Sequence, residues 1–230
     1  MRILHVADLH FRKEWYEWVA SQSDDYDVLV IAGDLLNMLP VEATPLPQQA
    51  RVVRDWLQAL PKPVVVCTGN HDVWRGDPLV PTDAWAEGGW LQLCKSEKLV
   101  VDGQVADFHG ERFAAVKWGE SDWPDEASLV VAHAPSAESR VGTDANDVDL
   151  GDLAIAQRIV DKRPKYILSG HVHRARDWVA FDGNTYSFNP GCDWLALTPN
   201  HIFIDTENRI ARWHSATRGC GERALDERGL

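Results

Sequence analysis

Aspartate, asparagine and histidine recur at short spacings in five places along the 230-residue chain. Asp8 and His10 are two residues apart, and His171 and His173 have the same spacing. In an extended segment, side chains two residues apart point to the same side of the backbone. The other three places are Gly33-Asp34, Gly69-Asn70-His71-Asp72 and His133. Because imidazole and carboxylate oxygen together suit borderline divalent metals, this set predicts a metal centre.

Each of these places follows a short apolar run that predicts a buried strand. The runs are Arg2–Ala7, Asp27–Ala32, Pro63–Cys67, Leu129–Ala132 and Tyr166–Leu168, and they are rich in the β-branched residues Val and Ile. In open α/β sheets, ligand sites lie beyond the carboxyl ends of the strands. We therefore expect the polar side chains at these strand ends to form one site.

The number of candidate ligands indicates how many ions the site holds. The Asp, Asn and His side chains of these blocks include seven potential ligands. Seven ligands are too many for one four-coordinate ion, but they suit two ions that share a bridging carboxylate. Glycines before Asp34, Asn70 and His171 allow the backbone to turn sharply and to come close to a bound ion.

Longer segments with helical periodicity lie between the predicted strands. They cover Lys13–Gln22, Gln48–Leu60 and Leu150–Asp161. Turn residues within Leu99–Lys117 and Asp177–Trp213 predict hairpins, including turns at Asp102-Gly103, His109-Gly110 and Asp182-Gly183-Asn184. The pattern predicts a layered α/β protein with mixed sheets. The segment Ser215–Leu230 is polar and has no periodicity, so we expect a loose tail there.

The composition excludes several classes of protein. Asp and Glu number 35 against 23 Lys and Arg, which gives a formal net charge of −12. Apolar residues make up 45% of the chain and charged residues 25%, as in ordinary globular proteins. No apolar run approaches about 18 residues, so we expect no membrane span. Extended nucleic acid is disfavoured as a ligand, since its phosphates require many cationic side chains.

The cysteines and the N-terminus indicate a cellular location. Cys67, Cys94, Cys192 and Cys220 are far apart and form no CxxC motif. Reduced thiols are the default for such a chain. Polar residues from His5 onward interrupt the first apolar stretch before it resembles a signal peptide. We therefore expect a cytoplasmic protein.

The polar blocks together resemble the calcineurin-like metallophosphoesterase superfamily. Its pattern is D-x-H, then G-D, then G-N-H-D or G-N-H-E, then a histidine after a strand, then G-H-x-H. All five blocks occur here in this order across Asp8–His173. The resemblance implies an α/β fold, a four-layer αββα sandwich of two mixed β-sheets flanked by helices, with a two-metal site at its edge. It places the catalytic domain at residues 1–214 and leaves residues 215–230 as a tail.

The resemblance also implies a role for each side chain. Asp8, His10 and His173 would bind the first metal, and Asn70, His133 and His171 the second, with Asp34 as the bridge. His71 would face the substrate as a cationic stabiliser or general acid, oriented by Asp72. The cofactors would be two divalent ions; Mn, Fe, Zn, Co and Ni all accept such ligands, and Mn²⁺ is the ion we expect to serve in vitro.

The expected activity is hydrolysis of a small anionic phosphodiester by attack of a metal-bridging hydroxide. Gly33-Asp34 leads into Leu35 rather than into the Arg-Gly of the Ser/Thr phosphatase branch, which argues against a protein phosphatase. A phosphomonoesterase, a nuclease for short nucleic acid and a non-catalytic scaffold remain alternatives. The sequence leaves the natural substrate and the oligomeric state open.

Several residues near the motifs have two interpretations. Cys192, in Asn189-Pro190-Gly191-Cys192, is either a packed turn thiol, which we favour, or a group near the substrate. Trp74, Trp123 and Trp194 either form an aromatic wall or belong to the core. Arg174 and Arg176 are candidates for contact with a substrate phosphate. Asn37 either orients a water at the site or is an ordinary polar loop residue.

Overall fold

Two mixed β-sheets form the centre of the protein in a computed structural model that describes residues 1–39, 44–74, 88–94 and 96–225. The first sheet has seven strands in the order β13-β12-β11-β1-β2-β3-β4. Its parallel part consists of β1 (Arg2–Val6), β2 (Val28–Ala32), β3 (Val64–Cys67) and β4 (Leu99–Val100). Its antiparallel part consists of β11 (His201–Asp205), β12 (Ile210–Ser215) and β13 (Gly219–Ala224).

The second sheet has six strands in the order β5-β6-β7-β8-β10-β9. Strands β6 (Glu111–Val116), β7 (Leu129–Ala132), β8 (Tyr166–Leu168) and β10 (Tyr186–Phe188) are parallel to one another. The edge strands β5 (Val105–Phe108) and β9 (Val179–Phe181) are antiparallel to their neighbours. Both sheets therefore have a parallel centre whose carboxyl ends can carry a site.

Helices cover the outer faces of the two sheets. The described helices are α1 (Lys13–Ser21), α2 (Leu46–Ala59), α3 (Gly89–Gln92) and α4 (Leu153–Lys162). The Asp152 side chain caps α4 by accepting hydrogen bonds from the backbone N–H groups of Ala154 and Ile155. Among the described residues, no helix has both the length and the apolar character that a membrane span requires.

Alternating side chains along the strands create three apolar layers between four layers of backbone. In β2, Leu29 and Ile31 pack toward α1 and α2, whereas Val28 and Val30 pack between the sheets. In β7, Val130 packs toward Ile155 and Ile159 of α4. Successive side chains thus alternate between the two faces of the sheet, and both faces are apolar because the strand is buried on both sides. The predicted αββα sandwich is confirmed.

The predicted connections are partly correct. His109-Gly110 joins β5 to β6, and Asp182-Gly183-Asn184 joins β9 to β10, each as a hairpin turn. Asp102-Gly103 is not a hairpin turn, because it carries the chain from β4 of the first sheet to β5 of the second. The buried Asp102 carboxylate accepts hydrogen bonds from the N–H (2.8 Å) and hydroxyl (2.8 Å) of Thr68, which ties this crossing to the end of β3.

The predicted loose tail is wrong for residues 219–224, which form β13 and pair with β12. The segment is polar because it is an edge strand, stabilised by backbone pairing and by cross-strand contacts such as Arg212–Glu222 (2.7 Å). Gly221 is required there, since a Cβ atom would lie 2.7 Å from the Trp178 indole nitrogen. Residues 226–230, also assigned to the tail, lie outside the described residues.

The fully buried His5 of β1 makes the stability of the fold sensitive to acid. Burial lowers the pKa of His5 to about 3, from the usual 6.5. The unfolded chain gains this proton below pH 6.5 but the folded chain does not, so acid favours unfolding. The free energy of unfolding should fall between pH 7 and pH 4.5 in both the wild type and a His5→Leu variant. We expect the fall to be about 2 kcal/mol larger in the wild type than in His5→Leu.

Urea unfolding at both pH values, with EDTA present, measures this difference. His109→Asn, at an exposed histidine in the β5–β6 turn, is the matched control and should lose as much stability as the wild type. Equal losses in His5→Leu and the wild type would contradict the prediction.

Candidate metal centre

The strand ends that carry the motifs are joined by backbone hydrogen bonds. The N–H of Asp8 donates to the carbonyl of Gly33 (3.0 Å), and the N–H of His10 donates to the carbonyl of Asp34 (2.9 Å). The N–H of Gly170 likewise donates to the carbonyl of His133 (3.0 Å). The loops after β1 and β2 in one sheet, and after β7 and β8 in the other, therefore form fixed pairs.

The backbone of these loops is unusual. Asp8, His10, Asp34 and His171 all have positive φ values, of 55°, 43°, 52° and 68°. Non-glycine residues rarely adopt this conformation, and in proteins it concentrates at functional sites. Gly69 is needed for a further reason, since a Cβ atom there would lie 2.2 Å from Asp34 Oδ1. The sequence analysis expected this glycine to let the backbone come close to an ion. In the structure, Gly69 instead makes room for the Asp34 carboxylate.

The first group of predicted ligands lies around Asp8. Nε2 of His10 and Nε2 of His173 are 3.3 Å apart. Asp8 Oδ1 is 3.4 Å from the His173 nitrogen and 3.9 Å from the His10 nitrogen. Three side chains from the ends of β1 and β8 therefore direct their ligand atoms at one point.

The second group lies around Asn70. Its Oδ1 atom is 3.1 Å from His133 Nε2 and 3.0 Å from His171 Nδ1. Asp34 belongs to both groups, because Asp34 Oδ2 lies 3.4 Å from His133 Nε2 and 3.9 Å from His10 Nε2. The fold thus brings together all seven side chains that the sequence predicted as metal ligands.

The donor set fits divalent cations. Asp8 and Asp34 are both buried, and among the described residues their ion-pair partners are histidines, with no lysine or arginine within 4.0 Å. Ligand atoms of Asp8, Asp34 and His133 all lie within 4.8 Å of one another, as do those of His10, Asp34 and His71. Buried carboxylates require compensation, and converging imidazole nitrogens can share a cation with them.

Protonation compensates the carboxylates in the absence of a cation. Burial alone would raise the pKa of Asp34, but His133, His10 and His71 hold it well below its usual range. Burial opposes protonation of His133 as well, yet the Asp34 carboxylate raises the pKa of His133 to about 9. Burial lowers the pKa of His10 to about 4. His133 is therefore a protonated partner of Asp34 at neutral pH when no ion is bound.

His71 faces the same centre. Its Nε2 atom lies 3.9 Å from Asp34 Oδ2, and its ring centroid is 4.7 Å from that of His10. The backbone N–H of Met38 donates to His71 Nδ1 at 3.4 Å. His71 is thus close enough to contact whatever the ligand groups bind.

Asp72 does not orient His71, so this part of the sequence prediction needs correction. The buried Asp72 carboxylate accepts hydrogen bonds from the backbone N–H groups of Leu35 (3.2 Å), Leu36 (2.8 Å) and Gly69 (2.8 Å). Among the described residues, these three amides are its hydrogen-bond partners, and the His71 ring forms no hydrogen bond or ion pair with it. Asp72 instead ties the loop that carries Asp34 to the loop that carries Asn70.

The turn Asn189-Pro190-Gly191-Cys192 braces the last histidine motif. Nδ2 of Asn189 donates to the carbonyls of Gly170 (2.9 Å) and Val172 (3.1 Å). The buried Cys192 thiol contacts the carbonyl of Asp8 at 3.6 Å, which fits the packed-thiol interpretation. Its sulfur also lies within 4.8 Å of ligand atoms of His10 and His173.

Two tryptophans flank the ligand groups. Trp194 stacks on His10 with centroids 4.4 Å apart, and its Nε1–H donates to His173 Nδ1 at 3.3 Å. Trp118 lies 5.3 Å from the rings of both His133 and His171. Sequence reasoning missed Trp118, although its place just after β6 is a further strand end at the same edge. Trp123 belongs to the core under α4.

Three of the remaining candidates, Asn37, Trp74 and Arg176, have structural partners. Asn37 exchanges hydrogen bonds with Gln49 through its backbone, at 2.8 and 3.1 Å, which anchors its loop to α2. Trp74 packs against the apolar core beneath α1 and α2. Arg176 forms an ion pair with Asp147 at 2.5 Å, whereas the exposed Arg174 lines a cavity beside the site.

Comparison with known proteins places this site in a family. The model of the calcineurin-like phosphoesterases matches residues 1–175. No curated protein matches the chain significantly.

Solved structures share the fold at low sequence identity. YfcE, a phosphoesterase from E. coli, has a TM-score of 0.52 and 16% identity, over 98% of this chain and 100% of that one. The protein TT1561 of Thermus thermophilus has a TM-score of 0.56 and 13% identity, over 98% and 99%. Purple acid phosphatase PPD1 from yellow lupin has a TM-score of 0.58 and 11% identity, over 100% of this chain and 52% of that one.

The match of the family model covers far more than half of the chain and includes every motif block. The sequence-based resemblance is therefore confirmed, and the chain belongs to the calcineurin-like phosphoesterase family.

Proposed function

We propose that this protein hydrolyses a small phosphodiester with the help of two divalent metal ions. Family membership supports a metal-dependent phosphoester hydrolase. The position of Asp34 carries the two-ion proposal, because its Oδ2 atom lies near nitrogens of both ligand groups. The distances are 3.9 Å to His10 Nε2 and 3.4 Å to His133 Nε2. One carboxylate between two sets of ligands is the arrangement that a bridged pair of ions requires.

The seven ligands divide between two positions. We assign Asp8, His10 and His173 to one ion and Asn70, His133 and His171 to the other, with Asp34 shared. Ions bound there supply hydroxide near neutral pH and neutralise charge on phosphoryl oxygens. Trp194 stacks on the His10 ring, and Trp118 lies beside the His133 ring.

His71 is the proposed partner of the leaving group. The Met38 N–H donates to Nδ1, so the neutral ring carries its proton on Nε2, which faces Asp34. In hydrolysis, a P–O bond to hydroxide forms while the P–O bond to the leaving group breaks. A proton held at His71 Nε2 can donate a hydrogen bond to the departing oxygen as negative charge develops there.

A panel of substrates tests the proposed function. It contains bis-p-nitrophenyl phosphate, p-nitrophenyl phosphate, cyclic nucleotides and short single-stranded DNA, each assayed with Mn²⁺, Zn²⁺, Co²⁺, Ni²⁺ and Fe²⁺. Hydrolysis of the diesters above the monoester supports the proposal. A preference for p-nitrophenyl phosphate would overturn the assignment to diesters, and the absence of any hydrolysis would favour a scaffold.

Removal of the shared carboxylate should lower metal content and activity together. We expect wild-type protein to retain about two Mn²⁺ per chain after exposure and gel filtration, and Asp34→Asn to retain fewer. Activity should fall at least about 10³-fold, because bridging ligands position both ions. Elemental analysis by mass spectrometry measures the metal, and Asp55→Asn, at an exposed carboxylate on α2, is the control.

Replacement of His71 should separate chemistry from metal binding. We expect His71→Gln to keep the wild-type metal content and to lower kcat about 10²-fold or more. The loss should grow as the leaving group becomes poorer, since a poor leaving group depends more on a hydrogen-bond donor. Loss of metal in His71→Gln would instead identify His71 as a ligand.

Metal binding should release protons at neutral pH. His133, with its pKa raised to about 9, is protonated at pH 7 and must lose that proton before Nε2 can bind an ion. We expect about one proton released per chain from this residue. Calorimetric titrations with Mn²⁺ in buffers of different ionisation enthalpy measure the number, and identical heats in all buffers would contradict the prediction.

A further inference from the structure

A cavity of about 410 Å³ opens directly beside the metal ligands. His171 and His173 form part of its lining, together with Arg174, Leu150, Trp194 and Leu195. Its volume lies within the range of small-molecule sites. Since two of the ligating histidines line it, a group bound there is adjacent to the reacting phosphoryl group.

The walls of this cavity present apolar side chains to solvent. Leu195 is 89% exposed, Leu150 is 44% exposed and Trp194 is 38% exposed. Its acidic lining residues already have partners: Asp144 accepts hydrogen bonds from the N–H groups of Asn146 (2.8 Å) and Val148 (2.9 Å). The Leu195 N–H donates to the Asp193 carboxylate at 3.1 Å. The surface left for a ligand therefore combines the exposed side chains of Leu150, Trp194 and Leu195 with the exposed Arg174.

Hydrogen bonds hold both apolar walls in place. The indole Nε1–H of Trp15 donates to the carbonyl of Ala196 at 3.2 Å, and Arg12 donates to the carbonyl of Trp194. On the opposite wall, the N–H of Leu150 donates to the carbonyl of Gly142 at 2.9 Å. Exposed leucines on anchored backbone form a preorganised surface, which lowers the entropic cost of binding.

We propose that this cavity binds an apolar substituent of the phosphodiester, of at least the size of a phenyl ring, and that Leu150 and Leu195 determine this specificity. The proposal rests on the proposed function. His71, assigned to the leaving group, does not line the cavity. The cavity therefore takes the substituent that remains on phosphorus after hydrolysis, a group that a monoester lacks.

Two diesters with the same leaving group test the proposal: phenyl p-nitrophenyl phosphate and methyl p-nitrophenyl phosphate. We expect kcat/KM to favour the phenyl ester by about tenfold or more in the wild type. Leu195→Ser and Leu150→Ser should each reduce that ratio several-fold, mainly through KM. Val160→Ser, at a 63% exposed valine on α4, is the matched control and should leave the ratio unchanged.

The change of the ratio between variants is decisive, because the two esters differ slightly in intrinsic reactivity. If both leucine variants keep the wild-type ratio, the cavity assignment is overturned. Hydrolysis of both esters in that experiment would still support the proposed function. If neither ester is hydrolysed with any metal, the proposed function fails.

Calorimetric binding of phenylphosphonate and methylphosphonate to Mn²⁺-loaded protein then tests the cavity separately. Tighter binding of phenylphosphonate that Leu195→Ser weakens supports the cavity, and equal affinities overturn it.

Discussion

Two buried carboxylates, Asp8 and Asp34, set the main constraint on this structure. They lie at the ends of the adjacent parallel strands β1 and β2, and each is within 3.9 Å of the same His10 nitrogen. Like charges in a buried site raise each other's pKa unless positive charge compensates them. The carboxylates raise the pKa of His133 and of His173, and these two histidines supply that compensation. The sheet order follows this need, since only neighbouring parallel strands from both sheets can deliver all the partners to one edge.

A further set of hydrogen bonds, behind the ligands, keeps the partners in position. Asp72 joins the backbone around Leu35 and Leu36 to that of Gly69, and Asn189 holds the carbonyls of Gly170 and Val172. These contacts reach across strands that are distant in sequence. The positive φ values of the ligands cost energy, and such backbone persists only where its surroundings fix it. Asp72 and Asn189 therefore help to fix the backbone that carries the candidate ligands.

The sequence was sufficient to predict the core of the fold and the set of candidate ligands that meet at one edge of the sheets. Strands β2, β3 and β7 are buried on both faces and appear as unbroken apolar runs, while β1 and β8 are mostly buried, and a polar candidate ligand follows each of the five strands. The pairing of β13 escaped prediction, because an edge strand needs no apolar alternation. The roles of Asp72 and Trp118 escaped it as well, since both depend on which loops meet in space. A motif shows which residues recur together, but only the fold shows what each one contacts.

The electrostatics of the site connect metal binding to substrate binding. Without ions, the Asp34 carboxylate is balanced by a proton on His133, whose pKa is about 9. In this state the centre offers a phosphoryl group little net positive charge, on a chain whose formal charge is −12. Under the proposed function, divalent cations held by these residues would add positive charge at the edge where strands from both sheets end. That charge would attract an anionic ester to the centre. Further affinity would come from the cavity beside the centre, where, among the described residues, Leu150, Trp194 and Leu195 lie together with the single cation of Arg174 and no basic track is present.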